Sequence, residues 1–128
     1  MADSEKLTIN IGAVELGKID VLVEEAVYQS RTDFIRTAIR NQLDKHGLEL
    51  EHSMTRRAYV IGAITFGKNE FERRRAKGEK LAINVVGLLA LADDISPELA
   101  LDVVESVQVR GIFNAPRAVK EALASRTH

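Results

Sequence analysis

Glu5-Lys6-Leu7-Thr8-Ile9-Asn10-Ile11 alternates strictly, with Leu7, Ile9 and Ile11 on one side and Lys6, Thr8 and Asn10 on the other. Side chains of an extended strand point alternately to opposite faces, so this pattern predicts a half-buried strand. The stretch contains no second strand to pair with it, and an unpaired strand this short is unstable alone. A second copy of the chain is the simplest partner. Two copies pairing antiparallel would bury Leu7, Ile9 and Ile11 and leave Lys6, Thr8 and Asn10 of both on one exposed face.

After Gly12 the period changes to that of a helix. Leu16, Ile19, Leu22, Val23, Ala26 and Val27 recur on one side, with Glu15, Lys18, Asp20, Glu24 and Glu25 mostly opposite, which predicts a helix from about Ala13 to Tyr28. A second helix follows Ser30, whose hydroxyl can accept from the amide near Asp33 while that carboxylate reaches back. Its apolar face is Phe34, Ile35, Ala38, Ile39 and Leu43. Lys45 and His46 suit its negative end, and Gly47 is placed to terminate it in the left-handed conformation. Residues His46 to Thr55 lack a periodic apolar pattern, which predicts a linker, drawn at 51–57, between a first domain at 1–50 and a second at 58–128.

The second domain carries a repeat. Val85-Val86-Gly87-Leu88 matches Val109-Arg110-Gly111-Ile112 at an offset of 24, and Ile83 with Val107 and Leu99 with Leu123 keep it. A weaker first copy, Ile61-Gly62-Ala63-Ile64, lies about 25 residues earlier, with Phe66 falling where Leu91 falls. Each copy reads as a short apolar strand followed by a helix: Lys68 to Lys77 stopped by Gly78, then Ser96-Pro97-Glu98 opening the second, then Ala115-Pro116 the third. The expected fold is α+β, with three strand-helix units forming a parallel sheet or a solenoid.

The order of strand, amphipathic helix, tight turn and capped helix resembles the ribbon-helix-helix family of bacterial repressors, the Arc, MetJ and CopG type, over the first third of the chain. The resemblance rests on Lys6 to Ile11, Asp20-Val21-Leu22-Val23 and Ser30-Arg31-Thr32-Asp33-Phe34-Ile35-Arg36. It implies an intertwined homodimer whose two-stranded ribbon enters the major groove of double-stranded DNA. Lys6, Thr8 and Asn10 would read base edges, as lysine can donate to guanine, asparagine can pair with adenine, and threonine can bond or touch the thymine methyl. The start of the second helix, Ser30, Arg31 and Thr32, would hold a backbone phosphate with its free amides. Arg36 and Arg40 share a helix face, and Arg73, Arg74 and Arg75 form the one concentrated basic run; both sets are further phosphate candidates and read equally well as solvated surface. Two features depart from the family pattern. The turn Val27-Tyr28-Gln29 lacks a glycine, and Gly17 interrupts the first helix at a cost of about 1 kcal/mol against alanine.

Composition narrows the field without choosing the function. The chain has 128 residues, no cysteine, 18 Lys plus Arg and 19 Asp plus Glu. Thiolate chemistry and disulfides are excluded, a cytoplasmic setting is the least demanding, and neither a leader nor a membrane span is expected. The first 53 residues hold six basic and ten acidic side chains, a formal charge of −4, so DNA binding must rest on local geometry. His46, His52 and His128 lack ligand spacing and Asp93-Asp94 precedes a helix as turn chemistry, so no metal, no cofactor and no enzymatic activity are expected. The leading expectation is a transcriptional repressor whose repeat domain supports a higher oligomer or a protein partner. The alternatives are the antitoxin of a toxin-antitoxin pair and an assembly protein that does not bind DNA.

Overall fold

In the computed structural model, which describes residues 4–128, the first helical period becomes α1 (Ala13–Glu24) and the capped one α2 (Arg31–Lys45). Residues 1–3 of the expected first domain lie outside the described residues. Residues Ser4 to Ile11 form no strand in the single chain. The pairing that defines a strand needs a neighbour, and none of the described residues pairs with this segment.

Helix α1 stops at Glu24 rather than Tyr28, and the turn does contain a left-handed residue, Ala26, with φ +59°. Ala26 N–H donates to Val23 O at 3.0 Å and Val27 N–H to Leu22 O at 2.9 Å. These two bonds reach back across the last turn and cap its carbonyls, the arrangement that glycine normally serves. The same pair of bonds recurs after a glycine, where Gly78, at φ +69°, donates to Arg75 O and Glu79 to Arg74 O. Ala26 therefore sits in a glycine position and bears a left-handed penalty of about 1–2 kcal/mol. Ala26→Gly should relieve it, less the roughly 0.5–1 kcal/mol that glycine loses in chain entropy. A small rise in the urea midpoint is expected, and an unchanged or lower midpoint would show that Ala26 is unstrained.

The expected linker is helical. Helix α2 ends at Lys45, His46 adopts φ −100°, and α3 (Gly47–Arg56) begins at once, so Gly47 starts a helix instead of terminating one in the left-handed region. Leu-Glu-Leu-Glu at 48–51 alternates, which hid the helix from a periodicity reading, yet leucine and glutamate are good helix formers. The chain divides into two compact units within this helix, one of residues Lys6–Ser53 and the other containing Met54–His128.

In the second unit β1 (Val60–Phe66), α4 (Lys68–Ala76), β2 (Leu81–Leu91), α5 (Pro97–Val103), β3 (Val104–Asn114) and α6 (Arg117–Ala122) follow one another. The strands form a parallel sheet in the order β1-β2-β3, and the sequence repeat is its register: Ile61↔Val86, Gly62↔Gly87 and Phe66↔Leu91, then Ile83↔Val107, Val85↔Val109 and Gly87↔Gly111. Helix α4 packs on α5 and α5 on α6. One core joins sheet and helices, with Phe71, Val85, Leu89, Leu91, Val103, Val104, Val107, Val119 and Leu123 fully buried. Ser96 caps α5, accepting from Leu99 N–H at 3.1 Å. Pro116 takes the cap position of α6 rather than its first turn. Cations close the far end of α5: the Arg126 guanidinium donates to Leu101 O and Val104 O at 2.7 Å, and Lys80 Nζ to Asp102 O at 2.6 Å.

The three repeat glycines occupy the middles of the strands with φ between +130° and +134°. A Cβ built on Gly87 would lie 2.2 Å from Gly62 O, and one on Gly111 would lie 2.1 Å from Gly87 O. Each carbonyl thus fills the space that a side chain would need on the next strand, which is why the repeat centres on this residue type.

Candidate nucleic-acid interface

Lys6, Thr8 and Asn10 are exposed, as the groove-reading expectation requires, but so are the residues between them. Leu7 is 85% exposed, Ile9 69% and Ile11 41%. The helices that follow also show apolar residues to solvent, including Val14, Val21, Ile35, Ile39 and Leu43, while Ile19 alone among the described residues of this unit is buried. A shallow groove on α1 is lined by Val14, Gly17, Lys18, Val21 and Leu22. Gly17, a liability to the helix itself, leaves this groove open, and beyond its chain neighbours and the backbone of its own helix no described residue comes within 4 Å of the position its Cβ would take. An apolar surface this extensive on a unit this size is of the kind that marks an interaction site.

At the start of α2 the capping exchange takes the expected form with one shift. Asp33 N–H donates to Ser30 Oγ at 3.1 Å, while the Asp33 carboxylate accepts from Gln29 N–H at 3.0 Å, one residue before the cap. Phe34 N–H returns to Ser30 O at 3.1 Å. The amides of Arg31 and Thr32 have no acceptor within the chain among the described residues, and they point along the positive end of the helix dipole. Tyr28 packs edge-on against Phe34, ring centres 5.0 Å apart, and steadies the turn that presents them.

The Arg31 side chain is committed elsewhere. Its Nε and Nη2 donate to the two carboxylate oxygens of Asp20 at 2.7 and 2.9 Å, tying the start of α2 to α1. Hydrogen bonding to the guanidinium holds the Asp20 carboxyl below its ordinary range and lifts Arg31 above its own. Eleven residues separate the partners, so no local spacing rule identifies this pair in the sequence. Arg36 is exposed and forms no ion pair among the described residues, and Arg40 makes only a 3.4 Å contact with Thr37 Oγ1.

The basic run in α4 belongs to the other compact unit. Arg74 bonds Glu70 at 3.3 Å and lies 3.6 Å from Glu79, and Arg75 lies 3.6 Å from Asp102. Much of its charge is therefore balanced within the unit, leaving Arg73 as the cation of the three without an ion pair among the described residues. Asp93 and Asp94 lie in the turn before α5, and the described residues contain no cluster of three metal-ligating side chains. No described helix is long and apolar enough to cross a membrane.

No curated protein and no solved structure matches the chain. A family model, described as the ribbon-helix-helix transcriptional regulator family, matches residues 2–120. The match extends well beyond the N-terminal third that carried the resemblance and takes in the strand-helix repeats as well. Two consecutive helices behind an exposed alternating segment, joined to a parallel sheet that the same family model spans, place the assignment on the whole length of the molecule: the chain belongs to the ribbon-helix-helix transcriptional regulator family.

Proposed function

We propose that the chain is a repressor that dimerises through residues 5–11 and inserts the resulting two-stranded ribbon into the major groove of its operator. The observation that carries this reading is the unpartnered, alternating segment itself: Leu7, Ile9 and Ile11 lie exposed and alternate with Lys6, Thr8 and Asn10, and α1 and α2 expose apolar residues as well. Antiparallel pairing with a second copy would sequester the first set and gather six polar side chains on one face. The free amides of Arg31 and Thr32 would anchor a phosphate beside the groove, with Arg36 and Arg40 available to the flanking backbone. Arg73, Arg74 and Arg75 play at most an auxiliary part. A well-formed apolar core in Met54–His128 favours a regulator with a folded second domain over an antitoxin tail that orders only on its toxin.

Base reading and anchoring should separate under mutation. Asn10→Ala should cost about 1–3 kcal/mol on the operator and far less on scrambled duplex, because a bidentate base contact carries discrimination. Thr32→Pro removes one helix-start amide at a position where proline is tolerated, so it should weaken both duplexes about equally. Salt titrations of each dimer supply the measurement, with a log-log slope of about −0.9 per phosphate neutralised. If Asn10→Ala binds both duplexes as the unaltered protein does, the ribbon serves dimerisation alone.

A further inference from the structure

We propose that the outer edge of β1 is a self-association edge, which takes the β3 edge of a second copy of this chain in parallel and continues the glycine ladder from one copy into the next. The proposal stands on the C-terminal unit alone, so it succeeds or fails independently of the ribbon's role on DNA.

The first observation is a conformation without an internal cause. Gly62, Gly87 and Gly111 share one register and one backbone geometry, φ +131°, +134° and +130°. At Gly87 and Gly111 a carbonyl from the preceding strand occupies the Cβ position, at 2.2 and 2.1 Å. At Gly62 the equivalent position is open, with no atom of the described residues beyond its chain neighbours within 4 Å. The edge strand thus has the geometry to receive a glycine carbonyl that none of the described residues of its own chain provides.

The second observation is the state of that edge. Exposed edge strands are usually blunted by charge, proline or a covering element, because their free amides and carbonyls recruit other strands. Val60-Ile61-Gly62-Ala63-Ile64-Thr65-Phe66 contains neither charge nor proline, and Val60 and Ile61 are 54% and 66% exposed.

The third is the fit of the mating edge. On the outer side of β3, Thr127 bridges Val107 in parallel and His128 N–H donates to Val107 O at 2.8 Å, so these two residues take the levels of Val107 and Gln108. From Val109 to Phe113 no strand lies outside β3 among the described residues. Strand β1 begins its pairing with Val60 at the level of Val85, which is also the level of Val109. A second copy's β1 placed beside β3 in the same register would therefore start where His128 leaves off. It would set its Gly62 against Gly111 O, the one ladder carbonyl with no glycine facing it. Arg110, whose guanidinium donates to Val109 O and His128 O at 3.3 and 3.2 Å, stands at that border and must release Val109 O. Such a contact joins two different surfaces, so it propagates or closes into a ring instead of ending at a pair. It would link ribbon dimers to one another and not complete a single one.

The register supplies the test. In the junction Ala63 of one copy stands beside Ile112 of the other, whereas within one chain Leu88 of β2 lies between them. Two strand spacings, about 9–10 Å, are too far for a disulfide. The chain has no cysteine, so Ala63→Cys and Ile112→Cys introduce single thiols. Upon oxidation without DNA, a mixture of the two proteins should give a disulfide-linked pair, each alone should give none, and a chain carrying both should give a ladder of multimers. No pair in the mixture overturns the proposal, as does a pair formed equally well by Ala63→Cys alone, which would mark symmetric β1-to-β1 contact. Sedimentation of the unaltered full-length chain provides a check that needs no variant. Its mass should exceed that of a dimer at high concentration, and a mass that stays at or below that of a dimer across the range overturns the proposal as well.

Discussion

Gly87→Ala is expected to destabilise the C-terminal unit severely while leaving it measurably folded. Its Cβ would meet Gly62 O at 2.2 Å, well inside any van der Waals contact, and the obstacle is backbone that cannot swing aside. The strand must either leave φ +134° or move away from β1, and both responses break ladder hydrogen bonds at the centre of the sheet. Combining about 1–3 kcal/mol of backbone strain with the loss of several bonds at about 1 kcal/mol each gives a penalty of roughly 4–5 kcal/mol or more. That is a large part of the roughly 5–15 kcal/mol that holds an ordinary domain together. Gly62→Ala supplies the internal comparison, because its Cβ enters open space in the single chain and bears the backbone strain alone. Chemical denaturation of the two variants should separate them by several kcal/mol. Equal destabilisation would mean that the close approach between strands carries no energetic weight.

The other large effect is expected at Ile9. In the proposed dimer each copy buries this side chain between the ribbon and the helices, which is worth about 1.5–3 kcal/mol per residue. Ile9→Asp removes that contribution from both copies at once and adds the cost of bringing two carboxylates out of water beside each other. A loss of roughly 4 kcal/mol or more raises the dissociation constant of the dimer by at least about a thousandfold. Because folding and association are coupled here, the helical signal of the first unit should fall with dilution much sooner than in the unaltered protein. Sedimentation and circular dichroism over a concentration series would measure both. A variant that remains dimeric and helical at the same concentrations would remove residues 5–11 from the interface and, with them, the ribbon.

The repeat domain was legible because parallel strands in register impose the same demand at the same level of each turn. Gly87 and Gly111, and Val85 and Val109, are pairs that the sheet places at the same level, and a sequence offset records that directly; Leu99 and Leu123 share the offset and the core, but one lies in the first turn of α5 and the other ends α6. Caps were legible for a similar reason, since Ser30 and Ser96 act on amides three residues away. What escaped was determined over longer distances or by propensity without pattern. Arg31 meets Asp20 through a turn whose direction depends on Ala26, and a left-handed alanine has no signature in composition. Helix α3 escaped because the Leu-Glu alternation at 48–51 masks the face that Leu50 and Met54 share at helical spacing. The alternation of Lys6, Thr8 and Asn10 with Leu7, Ile9 and Ile11 was readable as a pattern of residue types; the base sequence that the proposed ribbon would meet is not written in this chain.

The glycine ladder also sets the increments in which this protein can change length. Adjacent turns of the second unit are 24 or 25 residues apart, and each strand is held by a carbonyl that arrives from the turn before it. Losing or gaining a few residues inside a turn would slide one glycine off its carbonyl and put a side chain there instead. Removing or duplicating one entire turn would leave every remaining contact of the ladder as it was. Descendants of this chain are therefore free to differ by whole turns, lengthening or shortening the sheet like links of a bracelet, while the first unit is left untouched.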